Sequence, residues 1–257
     1  MTQLRQRLNL LYVLMVMHLK ASDYRSLFGI LWSFIGPALT FAVLYFIFID
    51  RMGRQIPLFP IKLLTGVVTL YFFMSVVNIT NTALSQRRDI VINSTTPTEI
   101  LIFSALIVPA TKFFVELSLC ALLAAWHKVL IPAHLPLMAV TAAVFLFMSV
   151  GVGLLLEVLS TFASDVQEIW NRITPIFYFA TPIFYGLEML SQWGRQIVFW
   201  ANPITPFLLS FRFLLLGERP QFEPVPVLIL GPVYAVLFFG FGYFWFKKIE
   251  RVMVQQL

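Results

Sequence analysis

Apolar residues fill the chain in blocks of about 20, separated by short polar or basic segments. A bilayer core takes about 20 mostly apolar residues per spanning helix. By that measure six spans are predicted, at 27–49, about 61–84, about 100–126, 135–160, about 169–187 and about 225–246. The connections are short, and the two halves share no repeat. The pattern predicts an all-α integral membrane protein with one compact transmembrane domain, 1–257.

Three segments depart from the plain span pattern. Residues 3–20, within "LRQRLNLLYVLMVMHLK", begin basic and then turn apolar, as a signal peptide does. Asn9 interrupts the run, His18 and Lys20 close it, and no clear small-x-small cleavage site follows. Leu4, Leu8, Leu11 and Met15 recur at helical spacing, so we read an amphipathic helix at the interface. Residues 86–99, "QRRDIVINSTTPTE", form a polar loop whose Ser94 and Thr95 suit a helix start. Residues 188–217 are apolar but broken by Gly194, Pro203 and Pro206. Short re-entrant or interfacial helices fit them, because irregular backbone at membrane depth must be buried or line a wet cavity. "ERPQFEPVPV" after them, with three prolines, is a stiff connector.

Composition agrees with the pattern. The chain is 60% hydrophobic and 12% charged, with mean hydropathy +0.87; soluble domains are about a quarter charged. The net charge of +6 does not mark a nucleic-acid binder, because Lys and Arg sit at the edges of apolar runs. With six spans, one side holds ten of them: Arg5, Arg7, Lys20, Arg25, Arg87, Arg88, Arg172, Lys247, Lys248 and Arg251. The other side holds seven: Arg51, Arg54, Lys62, Lys128, Arg195, Arg212 and Arg219. The positive-inside rule therefore puts both termini in the cytoplasm. The single cysteine, Cys120, permits no internal disulfide.

The fifth span, containing "ITPIFYFATPIFY", is polar along one face. At helical spacing Thr174, Tyr178, Thr181 and Tyr185 align, and Asn171, Gln167 and Ser164 extend the stripe. Pro175 and Pro182 each remove a backbone donor there. The second span carries a similar stripe, Tyr71, Ser75, Asn78, Thr82 and Ser85, with Asn81 beside it. Polar stripes serve either helix packing or a hydrated pathway, and the length of these favours a pathway. Such a path, rich in hydroxyls and rings but poor in charge, suits a sugar: rings stack on its C–H faces while hydroxyls bond its own. An ion channel would want charge rings or ordered carbonyls. Lys112, Glu116 and Glu157 are the in-span charges an ion-coupled carrier would use; Lys112 and Glu116, four apart, also suit mutual neutralisation.

Catalytic chemistry is not indicated. There is no G-x-x-x-x-G-K-[ST] phosphate loop, and His18, His127 and His134 have no metal-ligand spacing. No catalytic set or metal site is predicted, so the chain is not read as an enzyme.

Several short motifs resemble one family, the membrane subunits of bacterial ABC-2 type exporters of polysaccharides (O-antigen, capsule and teichoic-acid permeases). "SLFGILWSFIGP" matches at Gly29, Leu31, Trp32 and Pro37, with Phe28 replacing a Leu. The basic-Tyr-basic cluster before it keeps Lys20 and Tyr24-Arg25 but is interrupted by Ser22 and Asp23. "SDVQEI" keeps Asp165 with Ser164 in place of Arg; "TPIFY" at 181–185, Asn202-Pro203 and "FKKIE" also match. The resemblance implies a homodimer forming one polymer channel in the bacterial inner membrane. It implies two copies of a separate P-loop ATPase, which would hold ATP and Mg; this chain would bind no cofactor. Substrate would be a lipid-linked glycan, with channel contacts at Trp32, Tyr71, Asn78, Asn171, Thr174, Tyr178, Thr181 and Tyr185. The 188–217 segment would be an external gate with Trp193, Trp200 and Pro203. Arg5, Arg7, Arg25, Arg87, Arg88 and Asp89 would couple to the ATPase. A permease for a small drug or lipid, or an ion-coupled secondary carrier, is the alternative.

Overall fold

A computed structural model describes residues 2–23, 31–52, 56–87, 91–92, 96–163, 165–217 and 224–256. Side chains are described over 5–20, 35–50, 56–87, 91–92, 96–163, 165–217 and 227–253. Among the described residues every regular element is a helix. They are α1 (Thr2–Asp23), α2 (Leu31–Met52), α3 (Phe59–Asn81), α4 (Thr98–Ala105), α5 (Ile107–Trp126), α6 (Leu135–Phe162), α7 (Asp165–Ile173), α8 (Phe177–Ala180), α9 (Gln192–Ala201), α10 (Ile204–Leu216) and α11 (Pro224–Gln256).

Among the described residues four stretches are long and apolar enough to cross a bilayer: Phe59–Asn81, Thr98–Trp126, Pro132–Phe162 and Val227–Met253. They match the predicted second, third, fourth and sixth spans. In α2 the apolar part described is shorter, Ile35–Asp50. The Thr98–Trp126 stretch is interrupted at Leu106, between α4 and α5, where Pro109 has no N–H to give Ala105.

The predicted fifth span, 169–187, is not one helix. Pro175 and Pro182 withdraw two donors, and the chain takes a nine-residue helix, a 3-10 turn at Thr174–Ile176, and a last helix of four residues. Thr181 is then extended, at φ −101° and ψ 137°. The 16 helical residues reach about 24 Å at 1.5 Å each, short of a hydrocarbon core about 30 Å thick. In the 188–217 segment, α9 and α10 form a pair bent by 97° at Asn202-Pro203.

The core lies where α3, α6 and α10 meet. Phe145 of α6 is fully buried against Phe72 and Phe73 of α3 and Phe207 and Phe211 of α10. Two glycines of α6 set its spacing. A Cβ on Gly151 would run into the backbone of Phe238 and Phe239 in α11, and one on Gly153 would meet Thr80 and, at 3.0 Å, the Val77 carbonyl of α3. Gly242 of α11 answers Gly151: its own Cβ would strike the Gly151 carbonyl. Small residues thus let three backbones touch where lipid offers no hydrophobic drive.

α1 packs beside α4 and α5. Leu14 faces the core, whereas Leu8, Tyr12, Val13 and Met17 are exposed. An apolar outer face on a docked helix suits the bilayer interface predicted for 3–20.

Candidate functional site

The two polar stripes predicted in the second and fifth spans meet each other. Trp170 Nε1 donates to Asn78 Oδ1 at 2.8 Å. Asn81 Nδ2 donates to Gln167 Oε1, and Ser160 Oγ to Asn81 Oδ1 at 3.3 Å. Tyr71 and Tyr178 pack edge to face at 6.3 Å, and the Tyr71 hydroxyl lies 2.8 Å from Thr40 Oγ1 of α2. These contacts form a seam tying α2, α3 and the α7–α8 segment. Ser75 and Tyr71 also border a cavity of about 100 Å³ with Pro37, Lys112 and Glu116. That volume is room for several waters.

The predicted stripe divides. Gln167, Thr174, Tyr178 and Thr181 turn inward, and Thr174 returns its hydroxyl to the Trp170 carbonyl at 2.7 Å. Asn171 faces outward beside the exposed Glu168–Arg172 ion pair, 2.6 Å across. Ile169, Ile173, Ile176 and Phe179 are exposed as well. Gln167 and Asn171 already part within α7; beyond it, the 3-10 turn at Thr174–Ile176 and the end of α8 at Ala180 interrupt the register that would align Asn171 with Tyr178 and Tyr185. Tyr185 sits in the turn beyond, half-buried, donating to the Phe179 carbonyl at 2.9 Å.

Thr181 and Asn202 join the "TPIFY" and "NP" segments. Asn202 Nδ2 donates to the Ala180 carbonyl at 3.0 Å and to Thr181 Oγ1 at 2.9 Å, while its Oδ1 accepts from the Ile204 amide at 2.9 Å. Thr181, Asn202 and Ile204 are all buried, so the α9–α10 corner is pinned to the end of α8. Arg212 of α10 completes the corner: its Nη2 donates to the Ile183 carbonyl at 2.7 Å and the Lys62 carbonyl at 3.0 Å. Beneath, a Cβ on Gly66 of α3 would meet Ile183 Cα at 3.1 Å. The sequence pattern marks Arg212 only as a topology charge. Its place among a threonine-proline turn and a helix start had no signal in the pattern.

α9 presents its aromatic residues outward. Trp193 is 77% exposed and Trp200 54%, and Trp200 Nε1 is held by Gln196 Oε1 at 2.9 Å. With Ile197 and Ala201 they form a shallow aromatic depression. Pro203 stands at the corner behind it.

At the opposite end lie the residues predicted to couple. Arg5 and Arg7 are exposed on α1, and Arg87 is half-buried with Nη2 3.5 Å from His18 Nε2. Burial first, then the Arg87 charge, hold the His18 pKa below its usual 6.5. Arg25, Arg88, Asp89 and Ser164 lie outside the described residues, as does the side chain of Trp32 in α2. Among the described residues no His/Cys/Asp/Glu group could hold a metal.

No family model matches the chain. It is 27% identical over 235 residues, 88% of either chain, to the O-antigen export system permease protein RfbA of Myxococcus xanthus. Two Klebsiella pneumoniae proteins of the same name are each 25% identical, over 227 and 230 residues, covering 86% of this chain and 85% and 86% of theirs. The likeness therefore runs through the α7–α10 region as well as the spans, and it agrees with the resemblance drawn from the motifs.

Proposed function

We infer that the chain is the permease subunit of an ABC-2 type polysaccharide exporter, a multi-pass membrane protein that carries no catalytic centre of its own. The observation that carries this is the similarity to three O-antigen export permeases over 85% or more of both chains. In the finer reading, two copies form one channel in the bacterial inner membrane with both termini in the cytoplasm. Two separate P-loop ATPase subunits bind ATP and Mg and drive a lipid-linked, O-antigen-like glycan outward.

The chain's parts take roles in that reading. The seam of Tyr71, Asn78, Trp170, Thr174 and Tyr178 holds the wall segment α7–α8 against α2 and α3. The wall's outer face, with Asn171 and Tyr185, meets the glycan. The α9–α10 pair is the external gate, pinned by Thr181, Asn202 and Arg212, with Trp193 and Trp200 as stacking platforms and Pro203 at its hinge. Trp32 is assigned a glycan contact from the motif resemblance alone. Residues 86–99 and α1, with Arg5, Arg7, Arg25, Arg87, Arg88 and Asp89, receive the ATPase stroke. Neutral rings and hydroxyls let a polymer slide because no single contact is strong.

The test is purification of the native complex in mild detergent, with mass spectrometry of every co-purifying chain. A P-loop ATPase in equal amount to this chain is expected. Its reproducible absence, from a preparation that keeps other complexes whole, overturns the exporter reading. The cavity holding Lys112 and Glu116 favours an ion-coupled carrier as second reading. Transport that follows a proton gradient and ignores ATP would select it.

A further inference from the structure

The last helix touches both ends of the proposed machine. α11 runs 33 residues, about 50 Å at 1.5 Å per residue, and continues through Pro232. Near its C-terminal end Lys247 Nζ bonds Glu99 Oε1 and, at 2.8 Å, Glu250 Oε2. Thr98 Oγ1 donates to Glu250 Oε1, and the Tyr243 hydroxyl to Glu99 Oε1 at 3.4 Å. Thr98 and Glu99 are the first two residues of α4, directly where the proposed coupling loop ends. Five side chains thus clasp the loop's exit to the tail of α11.

Near its other end α11 holds the gate pair. Ser210 of α10 donates to the Val227 carbonyl at 3.4 Å. A Cβ on Gly231 would meet the Phe207 ring at 3.1 Å. The Tyr234 hydroxyl donates to the Trp200 carbonyl of α9. Between the two ends, Gly151 and Gly242 keep α11 in backbone contact with α6, which holds the two ends of the helix in one continuous packed element.

We propose that α11 is the transmission rod between the coupling loop and the external gate, and that Lys247 is the positioning residue fastening the loop's exit to it. The inference rests on the exporter reading. A charge bridge suits such a fastening because it resists pulling as well as pushing. It also exposes no apolar surface when the end of the helix moves through the wet interface.

The experiment uses the complex with its ATPase in vesicles, with Gln192→Cys at the exposed start of α9 as reporter. The native Cys120 is fully buried and gives a silent background. With the clasp intact, ATP is expected to change the labelling rate at position 192 several-fold. In Lys247→Glu that response should fall below twofold, while subunit stoichiometry and Tm hold. The swap Glu99→Lys with Lys247→Glu rebuilds one cation between two carboxylates and should restore the response. A merely structural clasp would alter Tm and leave the ATP response of the folded complex in place. A full ATP response in Lys247→Glu, or no restoration by the swap, overturns the proposal, as does an intact complex with no response at position 192. If Lys247→Glu does not fold, Glu99→Gln and Tyr243→Phe loosen the clasp without a new charge and must lower the response together. Failure of any ATPase to co-purify counts against the exporter reading instead.

Discussion

Asn202 shows how much one buried amide can do. Its three hydrogen bonds satisfy a helix-end carbonyl, a hydroxyl and the first amide of α10. Removing it leaves those groups buried and unpartnered, which costs about 1–3 kcal/mol. Asn202→Ala is therefore expected to lower the unfolding midpoint in detergent by several degrees, whereas Thr181→Val, which strands a single donor, should lower it less. Equal effects from the two would remove Asn202 from the centre of the corner. A second residue, His18, gives a pH dependence. Its neutral Nε2 accepts from Arg87 in the docked α1, and its pKa there lies below 6.5. Above pH 6.5 the ring is neutral whether α1 is docked or not, and docking is at full strength. As pH falls through 6.5 the undocked ring takes a proton first, so docking weakens until the docked ring is protonated too. The protection factors of α1 amides, exchange rates corrected for their intrinsic pH dependence, should fall as pH drops from about 7.5 to about 5.5, a window set around the ordinary histidine value, and His18→Gln should flatten that response.

At the scale of elements, the close approach of α6 and α11 makes the firmest stability prediction. An alanine methyl at Gly151 meets backbone, not the end of a flexible side chain. Backbone must shift, and overpacking of that kind costs about 1–3 kcal/mol. Gly151→Ala should fall in that range by denaturant unfolding, and Gly240→Ala, with open space around it, should be near neutral. Four spans were legible because each is a run of apolar residues at a bilayer's length. The fifth departs from the predicted single helix for a physical reason. Composition alone counts Pro175 and Pro182 as two residues in a mostly apolar run, but each deletes a backbone donor, and two of them seven apart leave too few turns to propagate. The stripe drawn through them assumed a register the prolines break. The pairing of the stripes, Asn78 with Trp170 and Asn81 with Gln167, depends on tertiary placement that periodicity does not carry. Glu99 and Lys247 lie 148 residues apart by their numbers, and nothing local joins them.

For the whole molecule, the decisive question is which rings hold sugar and which hold the fold. Tyr178 sits against Tyr71 inside the seam, so Tyr178→Ala loses packing as well as any glycan contact. Trp193 and Trp200 are mostly exposed and pack little, so replacing them tests sugar contact with less disturbance of the fold. Aromatic contacts contribute about 0.5–1.5 kcal/mol each, so losing both should slow export by about fivefold to somewhat over a hundredfold if the contacts are made at the rate-limiting passage. The predicted pattern has three parts. Trp193→Ala with Trp200→Ala slows glycan export at unchanged Tm and unchanged ATPase content. Tyr178→Phe, which keeps the ring but drops a hydroxyl bonded to Tyr71 and Thr40, lowers Tm less than Tyr178→Ala does and slows export beyond that loss only if the hydroxyl also meets substrate. Tyr178→Ala with Tyr185→Ala lowers both export and Tm. The measurement is export of full-length glycan from vesicles, with chain length read on the product and stability read in parallel. If the tryptophan pair can be removed with no change in rate or chain length, α9 is an interfacial anchor in the lipid head-group layer, where such rings also concentrate, and the glycan's contacts must be sought on the outer face of α7 and α8.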